Sequence, residues 1–374
     1  MKITLKRTPD QVELVKAMAS RNRNVAYEAQ VALAEFIGPV LAEVLNQAPT
    51  LSNLFQSLQF DADDNPSIPL DLYYNISDED YVNVWSQSHA GGLATNQVLP
   101  TASELKLATY SLDSAISFDR RYAAKSRLDV VSKTFSRVAQ EILLKQERTS
   151  ATLILTALAN ATTNGNSHAI ETTQAQGRVI LDDLNRLLTL AKRINTSWVG
   201  GTPTERTKGI TDLIVSPEVV QDLRAMAYNP INTVEADGTV AGAQQGLTGP
   251  ESMRDEIYRN AGIPTFYGLG IMEINELGVG QKFTTIYDTV ASASSVSPQS
   301  GFDAADDLVL GIDRTRDSMI RAVAVDADSG SEFTLMADDQ YSIRQNKIGY
   351  FGSVDEGRVV LDNRAIVGIQ VNAA

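Results

Sequence analysis

The sequence contains no cysteine and only two histidines among its 374 residues. The absence of cysteine excludes disulfides, thiolate nucleophiles, zinc ribbons and iron–sulfur clusters. His89 and His168 lie far apart in segments rich in glycine, asparagine and serine, and neither has an acid and a serine at the spacing of a known triad. We therefore expect both to be solvent-exposed loop histidines, with no transition-metal site built on them.

Other motifs that carry chemistry are also missing. Gly268-Leu-Gly does not extend to a dinucleotide-binding fingerprint, and the sequence has neither a Walker-type glycine–lysine motif nor a nucleophile elbow. Asp61, Asp63 and Asn65 are spaced like a calcium loop, but its glycine is replaced by Pro66 and its final glutamate by Leu72. This segment and the acidic run 78–80 are interpreted as solvated turns, so the sequence predicts no catalytic residue, cofactor or metal.

The sequence carries more acidic than basic residues. The chain has 46 acidic and 32 basic residues, for a formal net charge of −14, and no basic run of five or more. Such a surface disfavours tight binding of phosphates, and the densest basic stretch, 120–127, is interpreted as a solvated helix face or an interface ion pair. The sequence shows no secretory signal and no run of ~18 apolar residues, so neither export nor a membrane span is expected.

Two helices are predicted within the first 50 residues. Thr8, Pro9 and Gln11 form a capping-box start for a helix that continues to about Ser20. A second, alanine-rich helix is predicted over 25–45, with a kink or break at Pro39. Neither helix has a strong apolar face of its own, so residues 1–50 are expected to form an arm that docks on another surface.

A long hairpin is predicted from 76 to 118. Residues 81–85 alternate as a strand, residues 86–96 form a polar, glycine-containing tip, and the strand returns from Glu104. The hairpin has no obvious core of its own.

The clearest element follows the hairpin. Leu128, Val131, Phe135, Val138 and Ile142 are spaced three, four, three and four residues apart, which defines one face of a helix. Neither glycine nor proline occurs from Arg127 until Gly165. A helix over 127–159, capped by Ser126 with Asp129, would be ~50 Å long, and a helix of that length needs a long partner surface.

The remainder of the chain mixes helices and strands. A helix is predicted at 180–191, and a buried strand at 212–216 ends on Ser216, which caps a helix that starts with Pro217. Segments rich in small and polar residues, 229–252 and 292–300, are predicted loops. Further strands are predicted at 263–268, 271–274, 283–287, 308–312, 319–325, 333–335, 341–343, 349–351 and 365–371.

The order of these elements resembles the major capsid proteins of tailed bacteriophages, whose Hong Kong 97-like fold is shared by encapsulin shells. Local phrases that carry the resemblance begin at Thr211-Asp-Leu-Ile-Val-Ser-Pro-Glu, Ala261-Gly-Ile-Pro-Thr-Phe-Tyr-Gly, Tyr341-Ser-Ile-Arg-Gln-Asn-Lys and Val359-Val-Leu-Asp-Asn-Arg. The resemblance implies an α+β fold divided into an N-terminal helical arm, an extended hairpin loop, a peripheral domain with a long spine helix, and an axial domain. The implied bounds are 1–50 for the arm, 76–118 for the hairpin, 51–75 with 119–178 and 318–374 for the peripheral domain, and 179–317 for the axial domain.

The resemblance also implies a function without enzymatic chemistry. The chain is expected to self-assemble into hexamers and pentamers of an icosahedral virion shell, built in the host cytoplasm around double-stranded DNA that it does not read. Portal and separate scaffolding or decoration proteins are the other implied partners. Contacts between subunits are expected at the hairpin tip, through His89, Gly91, Gly92 and Asn96.

Two departures from the family pattern and two alternatives bear on this interpretation. The large cleaved N-terminal segment of some members has no counterpart before residue 50, so maturation without cleavage is expected. Lys106 is the only lysine in the hairpin and is not assigned to a cross-link. The alternatives are an encapsulin-like nanocompartment that holds a cargo enzyme, and a soluble hydrolase with dispersed acidic residues such as Asp61 or Asp78.

Overall fold

The structure is a computed structural model of the chain. It describes residues 8–47, 51–61, 66–69, 104–163, 165–172, 177–196, 209–226, 268–316, 318–325, 331–338 and 345–372. These residues form a mixed fold of helices and sheets, as the sequence predicts.

The helices of the described residues are α1 Pro9–Met18, α2 Arg23–Gln47, α3 Arg120–Ala124, α4 Leu128–Ala159, α5 Leu181–Thr196, α6 Pro217–Met226 and α7 Lys282–Ala291. The strands are β1 Gln56–Asp61, β2 Ser67–Pro69, β3 Glu104–Lys106, β4 Tyr110–Asp119, β5 Thr162–Thr163, β6 Asn166–Ser167, β7 Ala169–Glu171, β8 Asp212–Val215, β9 Gly270–Glu273, β10 Asp307–Ile312, β11 Met319–Val325, β12 Thr334–Asp338, β13 Lys347–Val360 and β14 Ile366–Val371. The chain divides into two compact units: unit 1 comprises 1–68, 106–150 and 320–359, and unit 2 comprises 69–105, 151–319 and 360–374.

Unit 1 is built on a sheet in the order β1-β11-β13-β12, with β4 also paired to β13. Strand β1 runs parallel to β11, whereas β4 and β12 run antiparallel to β13. The β4–β13 ladder extends from Asp119 opposite Lys347 to Tyr110 opposite Glu356. This long ladder carries the chain from the hairpin region to the start of α3.

Helix α4 confirms the predicted long helix almost residue for residue. The face defined by the three-and-four spacing is buried, and Phe135 packs edge-on against Tyr350 of β13 with ring centroids 5.2 Å apart. The predicted cap is wrong: Ser126 takes a left-handed conformation, with φ of 53°, and its buried Oγ has no hydrogen-bond partner among the described residues. Residues up to Ser150 belong to unit 1, and the rest of the helix belongs to unit 2.

Helices α1 and α2 confirm the two helices predicted within the first 50 residues. The Gln11 backbone N–H donates to Thr8 Oγ1 at 3.4 Å, as expected of a cap, but the Gln11 Oε1 has no partner among the described residues, so the capping box is not completed. Helix α2 continues through Pro39 without a break. Its buried residues, among them Leu33, Ile37 and Leu41, join the core of unit 1.

Helix α2 is long and apolar enough to cross a membrane by length and composition, over Arg23–Leu45. Its outer face carries the exposed carboxylates Glu28, Glu35 and Glu43, while the buried face holds Gln30 beside its apolar residues. This pattern is typical of a helix that packs on a protein core and faces water on the other side.

Unit 2 is built on a sheet in the order β7-β14-β10-β8-β9. Every residue of β10 and β14 is buried, which accounts for their nearly continuous apolar sequences. Ser216 caps α6 as predicted, since the Val219 N–H donates to its Oγ at 3.2 Å.

One predicted strand is wrong. Residues 283–287 lie inside helix α7, where Phe283 and Tyr287 are both buried and stand four residues apart on one face. Tyr287 packs edge-on against Phe302 at 4.7 Å and accepts a hydrogen bond from Gln370 Nε2. Packing on these partners overrides the strand preference of the Phe-Thr-Thr-Ile-Tyr sequence.

Candidate functional site

The predicted tip residues His89, Gly91, Gly92 and Asn96 lie outside the described residues, as does the predicted strand 81–85. Their role as subunit contacts therefore stays a prediction. The structure describes instead the place where this segment leaves unit 1 and returns to it.

The two ends of the segment lie side by side. The Leu107 backbone N–H donates to the Pro66 carbonyl oxygen at 3.0 Å. Ile68 and Leu107 are each only 5% exposed, so both ends are anchored in packed surroundings. We call residues 70–103, which join these two ends, the excursion.

The returning chain bends where β3 ends and β4 begins. The residues between these strands, 107–109, are not in a strand, and the sequence had predicted one continuous strand here. Gly357 of β13 lies against the bend: a Cβ added to it would stand 2.6 Å from the Ala108 carbonyl oxygen. Only a residue without a side chain allows this close approach.

A buried carboxylate holds the first residue after the bend. Glu356 is fully buried, and its Oε1 accepts a hydrogen bond from the Tyr110 hydroxyl at 3.0 Å. Its Oε2 accepts from Gln146 Nε2 at 3.0 Å, from Arg321 Nε at 2.9 Å and from Arg358 Nη2 at 3.1 Å. The carboxylate therefore joins the return strand β4 to α4, β11 and its own strand β13.

Arg358 extends this network to the turn before β1. Its Nη1 donates to the Gln146 carbonyl oxygen at 2.7 Å and to Ser150 Oγ at 2.8 Å. Its Nη2 also donates to Ser52 Oγ at 2.7 Å, which lies in the 3-10 turn Leu51–Leu54 just before β1. A single group of side chains thus holds both β4, at Tyr110, and the turn before β1, at Ser52.

The charges in this network offset one another. Burial lowers the pKa of Arg358, and the adjacent Glu356 carboxylate opposes that shift. Arg321 has a second carboxylate, Glu332, with Nη1 and Oε2 3.7 Å apart. A buried charge that is held by several hydrogen bonds tolerates little displacement, because moving it leaves its partners unpaired and away from water.

Tyr110 remains a hydrogen-bond donor at ordinary pH. Burial raises its pKa to about 12, and the nearby Glu356 carboxylate adds to the rise. A neutral hydroxyl beside a carboxylate is a positioning contact and does not supply a nucleophile or a base. The arrangement is suited to fixing the direction of the excursion.

His168 is placed differently from the sequence prediction. It is fully buried, with Nδ1 3.0 Å from the Asn363 carbonyl oxygen and 3.1 Å from that of Ile366, so Nδ1–H donates to the backbone. Nε2 lies 2.8 Å from Thr163 Oγ1 and accepts from that hydroxyl in the neutral ring. Burial lowers the pKa of His168. The prediction of an exposed loop residue was wrong because the two carbonyl partners lie about 200 positions away in the sequence.

The carboxylates of the described residues do not assemble a metal site. No group of three or more histidines, aspartates and glutamates within the described ranges is suited to hold an ion. Asp307 is buried, which raises its pKa, and it accepts a hydrogen bond from the Ser216 hydroxyl. The Ser216 hydroxyl thus caps α6 by accepting from the Val219 N–H and donates to the Asp307 carboxylate.

Comparison of the sequence with protein-family models and with curated proteins gives no match. Comparison with solved structures gives likenesses to shell proteins. The capsid of an empty GTA particle aligns over 87% of this chain and 90% of its own, with 13% identity and a TM-score of 0.49. The capsid of cyanophage P-SCSP1u covers 86% and 87%, with 14% identity and a TM-score of 0.47.

An encapsulin complex from Synechococcus elongatus aligns over 86% of this chain and 87% of its own, with 12% identity and a TM-score of 0.45. All three identities are below 25% and all three TM-scores are below 0.5. The case for a function therefore depends on the chain's own elements.

Proposed function

We propose that the chain is the subunit of a self-assembling shell, a major capsid protein of the tailed-bacteriophage type. The observation that carries the proposal is the base of the excursion at 70–103. The two ends of a segment whose sequence shows no core of its own are paired through Leu107 and Pro66, and the buried ionic network centred on Glu356 holds Tyr110 just after the return. Such a segment is best explained if its binding surface belongs to a neighbouring subunit.

The finer features follow the family pattern. Subunits associate into hexamers and pentamers of a virion shell through arm, excursion and axial domain, within the domain bounds given by the sequence. The excursion tip at His89, Gly91, Gly92 and Asn96 contacts a neighbour. The net charge of −14 suits a wall that lets double-stranded DNA slide past instead of binding its phosphates.

Deletion of residues 86–97 tests the proposal. The wild-type protein, expressed with scaffold supplied, is expected to form closed particles visible by negative-stain electron microscopy. The deletion variant is expected to keep a cooperative thermal transition but to form no stable particles. A wild-type protein that stays monomeric at high concentration, or a deletion variant that assembles normally, would contradict the proposal.

A further inference from the structure

An apolar groove opens between α1 and α2 on unit 1. It has a volume of about 250 Å³ and is lined by Leu14, Ala32, Phe36 and Leu128, with Asp10 and Gln11 at its edge. Phe36 is 53% exposed, which is unusual for a phenylalanine in a packed protein. The buried Gln11 Oε1 has no hydrogen-bond donor within the described residues. The groove thus offers an apolar wall to an occupant.

The rim of the groove is acidic. Asp10 of α1 is exposed, and Glu28 and Glu35 of α2 lie four residues before and three residues after Ala32, on the same helix face. Neither glutamate has an ion-pair partner among the described residues. An occupant of this groove should therefore carry an apolar or aromatic group flanked by cations.

The turn from α3 to α4 has this composition. Tyr122 is 45% exposed, and the exposed side chains of Arg121, Lys125 and Arg127 surround it in sequence. The turn is compact, because the Arg127 N–H donates to the Tyr122 carbonyl oxygen at 3.0 Å and Ser126 is left-handed. No carboxylate in the described part of the chain forms an ion pair with these three cations.

Turn and groove belong to the same face of unit 1. Leu128, which lines the groove, follows the turn directly, and the Arg120 guanidinium donates to the Ala19 carbonyl oxygen at the end of α1, at 3.2 Å. A face that carries both a projecting aromatic residue and a groove can pair with itself around a twofold axis.

We propose that this face binds a second copy of the chain, with Tyr122 of each copy in the α1–α2 groove of the other. The tyrosine ring packs on Leu14 and Phe36. Arg121 and Lys125 pair with Glu28 and Glu35. This inference deepens the proposed shell function and rests on it.

The charges on this face favour the contact. Subunits with a net charge of −14 repel one another, so association needs local patches of opposite sign. The cations around Tyr122 lie opposite the acidic rim in this arrangement. Phosphate of a nucleic acid could meet the same cations, but it would leave the apolar groove unfilled.

Tyr122→Ala tests the aromatic contact, with Tyr27→Ala as matched control. Tyr27 is 44% exposed on α2 but does not line the groove. Because truncation of a central aromatic residue weakens an interface strongly, Tyr122→Ala should raise the subunit concentration at half-assembly by roughly tenfold or more, as measured by sedimentation. Tyr27→Ala should change it by less than about twofold. Equal effects of the two changes would overturn the proposal.

A charge exchange tests the pairing independently of folding. Arg121→Glu with Lys125→Glu, and separately Glu28→Lys with Glu35→Lys, should each impair assembly, whereas all four changes together should restore it. Failure of the combined variant to recover would overturn the pairing. The pairing would also be overturned if Arg121→Glu with Lys125→Glu released double-stranded DNA from the particles but left assembly intact.

The experiment separates the two proposals. A wild-type protein that forms no particles contradicts the shell function itself. A wild-type protein that assembles, together with a Tyr122→Ala variant that assembles equally well, contradicts only the proposed contact.

Discussion

Replacement of Glu356 by alanine should destabilise unit 1 more than any exposed substitution on the same strand. The change removes the acceptor for Tyr110, Gln146, Arg321 and Arg358 and leaves two buried guanidinium groups without their shared carboxylate. Breaking a buried ion pair by removing one partner costs about 3–5 kcal/mol. Glu356→Gln keeps the shape and an acceptor oxygen, so it should cost less, about 1–3 kcal/mol.

Hydrogen exchange is the suitable assay, because the chain has two units and a single global transition is not assured. The reporters are the amides of α4 around Gln146 and Ser150, which belong to unit 1. A loss of ~4 kcal/mol corresponds to roughly three decades faster exchange where these amides exchange through opening of the unit. Asp355→Ala, at the exposed neighbouring position, is the control and should change exchange less than about threefold.

Comparable exchange in Glu356→Ala and Asp355→Ala would refute the reasoning. It would mean that water reaches the network and that the carboxylate does not hold the base of the excursion. A Glu356→Gln variant as damaged as Glu356→Ala would instead show that the negative charge matters more than the hydrogen-bond geometry.

Two further predictions concern other positions. Gly357→Ala places a Cβ 2.6 Å from the Ala108 carbonyl oxygen and should destabilise unit 1 by about 1–3 kcal/mol in thermal unfolding. Gly38→Ala, also in unit 1, meets no atom closer than 3.9 Å and should not destabilise the unit. Equal melting temperatures for the transition of unit 1 would contradict the close approach. The lowered pKa of His168 means that the unfolded chain binds a proton more readily, so stability is full above the usual value of 6.5 and falls as pH drops below it. His168→Gln should therefore be less stable than wild type at neutral pH but lose less on acidification, as measured by melting temperature against pH; parallel profiles would contradict a neutral buried histidine.

Local patterns determined the elements whose signal lies within one or two helical turns. The spacing of Leu128, Val131 and Phe135 specified α4, because a helical face repeats every 3.6 residues whatever it packs against. Ser216 and Pro217 specified the start of α6, since a cap acts on the backbone N–H groups directly after it. Composition alone excluded thiol and disulfide chemistry.

Tertiary structure decided what depends on residues far apart in the chain. Tyr110 and Glu356 are 246 positions apart and Ser52 and Arg358 are 306 apart, so no local pattern brings them together. His168 is buried and donates to backbone carbonyl groups of the C-terminal region. Phe283 and Tyr287 lie in a helix, where their side chains are buried on the same face. A local sequence sets which conformations are available to a segment, but the free energy of burying it against distant partners selects among them.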